Sequence, residues 1–151
     1  MTARAEMPAG VAADSSVVVA ALLAWHEHHA AARQELEAAM EQFPLLIPVP
    51  ALVESYAVMT RLPAPHRLRP ADAYALLREN FAASARADGL SGEECWALLE
   101  RLAAGTVAGG RTYDAQILAA AVKSRARVLL TLNVAHFAPL APEGMEIRSP
   151  V

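Results

Sequence analysis

Short apolar runs alternate with amphipathic stretches along this chain, and that alternation predicts strands separated by helices. Gly10-Val11-Ala12-Ala13 is apolar and stops at Asp14-Ser15-Ser16, after which residues 17–23 are apolar again. A strand, an N-cap cluster and a helix fit that order. Residues 30–40 restart as a helix with Glu and Arg on the exposed side. Leu45-Leu46-Ile47-Pro48-Val49 predicts a second strand, and Pro50 suits the first turn of a helix over 51–62. The prolines of residues 63–70 predict a locally basic loop, and 72–81 a further helix. Residues 82–87 are ambiguous and leave room for a weak edge strand. Ser91-Gly92-Glu93-Glu94 opens a helix to about residue 103 with a cap and an acidic first turn. Val128-Leu129-Leu130-Thr131-Leu132 predicts a buried strand ending at Asn133, and Met145-Glu146-Ile147-Arg148 alternates as a last strand should. Residues 1–9 carry no pattern and are expected to form a flexible N-terminal arm ahead of a single domain at 10–151.

The stretch that opens with Gly109-Gly110 carries the chemistry. Asp114 shares a helical face with Ile117, Leu118, Ala121 and Val122, so a carboxylate is predicted to point inward or into a cleft. A helix N-terminus also favours a carboxylate, by roughly 0.3 to 1 kcal/mol, which offers a plain capping role instead. Asp14 stands at the end of the first strand, Asn133 at the end of a later one, and Glu54 in the predicted first turn of its helix on the face of Ala51, Ala57 and Val58. Strands separated by helices imply an α/β fold with a mostly parallel sheet, whose ligand sites lie beyond the carboxyl ends of the strands. Three carboxylates about 5 Å apart would repel by roughly 3 kcal/mol per pair at an effective dielectric near 20. An all-oxygen set of this kind predicts a hard cation, Mg²⁺ or Mn²⁺.

Composition narrows the class. A length of 151 residues suits one domain able to bury about two thirds of its unfolded surface. The net charge of −3 gives no extended basic footprint, so a polynucleotide would be held locally or through metal ions. A lone cysteine, Cys95, excludes an internal disulfide and a multi-cysteine zinc site. His26, His28 and His29 lack acidic or cysteine partners at ligand spacing and predict a solvated helix start. No apolar run approaches the roughly 18 residues of a membrane span, and a cytoplasmic protein with no membrane partner is expected. The helices at 51–62 and 72–81 carry apolar residues on more than one face (Val53, Tyr56 and Met59; Tyr74, Leu76 and Leu77), which predicts a homodimer.

Four stretches in order carry a family resemblance. Ala13-Asp14-Ser15-Ser16-Val17, Leu52-Val53-Glu54-Ser55, Tyr113-Asp114-Ala115 with the run from Ile117 to Ala121, and Leu130-Thr131-Leu132-Asn133-Val134-Ala135-His136-Phe137 resemble the four motifs of PIN domains of the VapC toxin type. The resemblance spans nearly the whole chain. It implies a three-layer α/β/α PIN-like domain with a sheet of about four to five strands. It further implies a metal-dependent endoribonuclease, usually dimeric, that cuts RNA and is silenced by a cognate antitoxin. Carried onto this chain, Asp14, Glu54 and Asp114 are the expected metal ligands, with Asn133 standing where many relatives have Asp. Ser16 and Thr131 are expected to support the carboxylates or the substrate, and Arg111 to meet RNA phosphate. Two other readings compete. A catalytically inactive partner-binding domain draws on Asn133 and the acidic balance. An α/β phosphatase draws on Asp14, but the chain's one lysine, Lys123, lies far along a helix from the cleft.

Overall fold

The computed structural model describes residues 10–151. The arm expected at 1–9 lies outside the described residues. Five strands form one all-parallel sheet in the order β3-β2-β1-β4-β5: β1 (Gly10–Ala13), β2 (Leu45–Pro48), β3 (Arg86–Asp88), β4 (Ala126–Leu130) and β5 (Glu146–Arg148). Between them run α1 (Ser15–Leu22), α2 (His29–Gln42), α3 (Val49–Thr60), α4 (Pro70–Phe81), α5 (Gly92–Ala104), α6 (Arg111–Lys123) and the short α7 (Val134–Phe137). The chain moves outward from β1 to β2 to β3, then returns to β4 and continues to β5. With right-handed crossovers, α1 to α4 cover one face and α5 to α7 the other, giving three layers.

The direction of travel reverses between β1 and β4, and at such a switch point the connections leave a crevice beyond the strand ends. The strands around it are fully interior. Val11, Ala12 and Ala13 of β1 pack with Leu45, Leu46 and Ile47 of β2 and Leu129 and Leu130 of β4, all buried. Burial of Leu129 and Leu130 contributes about 2 to 3 kcal/mol each. Alanines at 20, 51 and 121, each fully buried, let helices approach the sheet closely.

Several boundaries differ from the sequence expectation for local reasons. Arg125 adopts a left-handed φ of 63° directly after α6, so the chain turns at once into the sheet and β4 begins at Ala126, two residues early. Asn133 is therefore separated from the strand by Thr131 and Leu132. The helix α3 starts at Val49 with Pro50 inside its first turn, which moves Glu54 to the second turn. Its buried face is Ala51, Ser55 and Met59, so Glu54 is exposed and does not sit on an apolar stripe. Val122, expected beside Asp114 on the inner face of α6, is 48% exposed. Met59 and Leu77, counted as surplus apolar surface, are core residues. The ambiguous segment supplies the edge strand β3, and no helix among the described residues is long and apolar enough to cross a membrane.

At the N-terminus of α5, Ser91 and Glu94 form a reciprocal capping box. Lys123 Nζ, from the end of α6, donates to Glu94 Oε1 and to the Gly89 carbonyl, both at 2.8 Å. The Lys123 ammonium, then the Ser91 backbone N–H, hold the Glu94 carboxyl down at about 2. A carboxylate depressed in the fold adds stability above its unfolded value and loses it as pH falls through the folded one. Relative to Glu94→Gln, the wild type should therefore melt higher above about pH 4.5, with the difference vanishing as pH falls toward about 2. Solvent reaches both side chains, so the difference should be small and shrink with salt. Melting curves across that range check it.

Candidate active site

Asp14 follows the last residue of β1, and its backbone N–H donates to the Leu130 carbonyl of β4 at 3.1 Å, placing it in the crevice. It is also the N-cap of α1, because its side chain accepts from Val17 N at 3.2 Å. The same oxygen, Oδ1, accepts from the Ser16 hydroxyl at 2.6 Å, and Oδ2 accepts from the Thr131 hydroxyl at 2.6 Å. Each hydroxyl also accepts. Leu132 N donates to Ser16 Oγ and Asn133 N to Thr131 Oγ1, both at 2.9 Å. The segment after β4 is thus stitched to the segment after β1 by side chains far apart in sequence.

Asp14 and Thr131 are almost wholly buried. Removal from water disfavours the charged form, and for Asp14 it outweighs the opposing bonds from Ser16, Thr131 and Val17. The carboxyl is raised above its ordinary value. A buried carboxylate in that condition gains from any added positive charge.

A second group lies on α6 and its neighbours. Asp114 is the fourth residue of α6, whose N-cap is Gly110 with no side-chain capping bond, so Asp114 does not cap the helix. Gly109 takes φ of 65° in the turn before it, a conformation that suits glycine. The Asp114 carboxyl is raised mainly by burial, lowered by the charge of His136, raised by Glu54 and lowered by Arg111. Glu54 from α3, Arg111 from the start of α6 and His136 from α7 therefore all stand within electrostatic reach of it. Arg111 and His136 are exposed.

The expected residues thus form two groups. Asp14 gathers Ser16, Thr131 and the backbone of Asn133, and Asp114 gathers Glu54, Arg111 and His136. Among the described residues no three His, Cys, Asp or Glu side chains stand close enough together to hold a metal ion. The Asn133 side chain is exposed at the N-cap position of α7 and makes no capping bond. His136 is not among the site residues expected from the sequence, although it follows Asn133 by three residues, about one helical turn. An apolar groove of about 450 Å³ lies between α3, α4 and β3, and none of these carboxylates lines it.

Residues 11–138 match the PIN domain family. Ribonuclease VapC40 of Mycobacterium tuberculosis is 36% identical over 119 residues, covering 79% of this chain and 84% of that protein. Ribonuclease VapC27 of the same organism is 37% identical over 121 residues, covering 78% and 81%. The fold is similar to the crystal structure of M. tuberculosis VapC20, a sarcin-ricin loop cleaving toxin, with a TM-score of 0.69 over 89% of this chain and 98% of that one at 16% identity. It is also similar to VapBC2 of Rickettsia felis, solved bound to a promoter DNA fragment, with a TM-score of 0.65 over 92% and 97% at 15% identity. With the family matched over most of its length and relatives above a third identical, the chain belongs to the PIN domain family.

Proposed function

We propose that this protein is an endoribonuclease dependent on Mg²⁺ or Mn²⁺, and the toxin of a toxin-antitoxin pair. The observation that carries the reading is the buried Asp14 held by Ser16 and Thr131 at the switch point of the sheet, with Glu54 within electrostatic reach of Asp114, in a chain 36% identical to a ribonuclease. Both aspartates are raised, so both favour a cation over ionisation alone. The donor atoms are carboxylate oxygens, the chemistry that hard divalent ions select. By donor chemistry Asp14, Glu54 and Asp114 fit such an ion and would hold it, although their side chains stand in two groups here. When bound, it supplies a water of lowered pKa and neutralises charge on the scissile phosphate.

The protein's own residues do the rest. Ser16 and Thr131 fix the Asp14 carboxylate in one orientation, as supporting hydrogen bonds do around metal ligands. The guanidinium of Arg111 and the imidazole of His136 flank Asp114 on the exposed side, where an RNA phosphate enters. Asn133 is neutral, so it contributes no charge and serves to orient water or a neighbouring carboxylate.

Val53, Tyr56 and Tyr74 remain exposed around the apolar groove that Leu52, Leu77 and Phe81 also line. Such a surface supports protein partners, a second copy of this chain and an antitoxin. Incubation with total RNA tests the reading. Cleavage should require Mn²⁺ or Mg²⁺, stop with chelator and leave 5′-phosphate ends, and light scattering of the same sample should give a dimer. Metal-independent cleavage, or none, would sink the nuclease, and a monomer mass at micromolar concentration would sink the dimer.

A further inference from the structure

The loops at the far end of α1 and α3 carry a group that the carboxylate site does not use. Trp25, three residues beyond the last residue of α1, is 50% exposed and stacks on His66 from the α3–α4 loop, with ring centroids 4.1 Å apart and planes 28° apart. His26 lies beside the indole at 5.9 Å, and its ring in turn lies 5.9 Å from that of His28. His26 Nδ1 accepts from the His28 backbone N–H at 3.0 Å, which pins the turn. The partner loop is pinned too. Leu68 N donates to the Met59 carbonyl at 3.0 Å, and Arg67 Nε to the Leu62 carbonyl at 2.8 Å. No group of three His, Cys, Asp or Glu among the described residues is arranged for a metal, so the imidazoles are not a cation site.

The composition of the surface selects its ligand. The α3–α4 loop presents Arg61, His66 and Arg67, all exposed, while Arg69 is paired with Asp72 at 2.8 Å and the one carboxylate in the Trp25 turn, Glu27, lies 3.8 Å from the His28 ring. No Leu, Ile, Val, Met or Phe lies between Ala24 and His29 or between Pro63 and Arg67. A protein anchor would need an apolar surround, whereas a flat exposed aromatic stack with arginines suits a nucleobase and its phosphates. We propose that the Trp25–His66 stack and the arginines of the α3–α4 loop form a second binding surface for single-stranded RNA. This rests on the ribonuclease reading for its purpose, since the strand cut at Asp14, Glu54 and Asp114 is the one that continues onto Trp25. The distance permits it. Glu54 and Arg61 are both exposed and lie seven residues apart along one face of α3, a rise of about 10 Å or a few nucleotides' length.

The chain has two tryptophans, so Trp96→Phe leaves Trp25 as the sole tryptophan, read by excitation beyond the absorption of the tyrosines. In chelator, which prevents cleavage, single-stranded oligouridylate should quench that emission. Trp25→Ala and Arg67→Ala should each weaken oligouridylate binding about tenfold, and Arg67→Ala should also lower the salt dependence by about 0.7 in log-log slope. Trp25→Phe should retain most of the affinity. Half of Trp25 is already in solvent, and melting curves verify that each variant is folded. Unquenched emission at saturating RNA, or unchanged affinity in a folded Trp25→Ala, overturns the proposal. So does a Trp25→Ala protein that binds RNA normally and its antitoxin poorly, which would make the surface a protein contact. Cleavage in Mn²⁺ with Trp25 unquenched would remove this surface and leave the nuclease. Quenching without cleavage would remove the nuclease and keep the surface.

Discussion

Asp114→Asn should lower RNA cleavage roughly a hundredfold or more while leaving the metal-free protein as stable as the wild type or slightly more so. The two halves of that result have separate causes. Asp114 makes no capping bond, and its carboxyl is raised by burial and by the charge of Glu54. For a carboxyl raised in the fold, ionisation destabilises the folded state as pH climbs through the folded value. A neutral amide escapes that cost, and it forfeits only the helix-dipole contribution of about 0.3 to 1 kcal/mol. Against this, the substitution removes a negative ligand. Mn²⁺ should raise the melting temperature of the wild type by mass action and that of Asp114→Asn much less. Paired melting curves with and without Mn²⁺, beside a cleavage assay, read both halves. Equal shifts with undiminished cleavage would take Asp114 out of the site.

Thr131→Val should produce the largest loss of stability. The hydroxyl is wholly buried, donates to Asp14 Oδ2 at 2.6 Å and accepts from Asn133 N at 2.9 Å. Valine keeps the shape and strands both partners, at about 1 to 3 kcal/mol for each unsatisfied group. Asp14 keeps its bonds to Ser16 and Val17, so a total of about 2 to 4 kcal/mol is expected. For a chain of this size that lowers the melting temperature by roughly 5 to 15 °C. Thr131→Ser retains the hydroxyl and should cost about 1 kcal/mol, the worth of the lost methyl. The valine deficit should also grow from acid to neutral pH, because Thr131 is one of the groups holding the raised Asp14 carboxyl down. Equal losses for valine and serine would show that the buried hydroxyl does not matter.

The sheet and the crevice could be anticipated because their signals are local. Each apolar run with a polar stop names a strand and its carboxyl end, and Asp14 with Ser15 and Ser16 gave the end of β1 and the cap of α1 together. The errors arose where the pattern left the outcome open. The left-handed turn at Arg125 moved β4, and α3, apolar on more than one face, buries Ala51, Ser55 and Met59 and leaves Glu54 outside. Helical periodicity sees neither, since it says which residues share a face and not where an element begins or which face is buried. Support for a carboxylate from Thr131 was implied by the family motif, though not which carboxylate it meets. The stack of Trp25 on His66 was beyond sequence reasoning, because it joins segments that only the folded helix layer brings together and leaves no periodic trace.

The interlock of Asp14 with Thr131 has a consequence for a chain made from its N-terminus on the ribosome. While residues up to α6 emerge, β1 can pair with β2, but its other edge is bare and Asp14 has no partner for Oδ2. The carboxylate crevice comes into being only when β4 inserts between β1 and the later β5, after about seven eighths of the chain has been translated. At roughly 5 to 20 residues per second, that leaves an incomplete chain without its crevice for most of its synthesis. A truncated product lacking β4 would carry Asp14, Glu54 and Asp114 and still be harmless to the RNA around it.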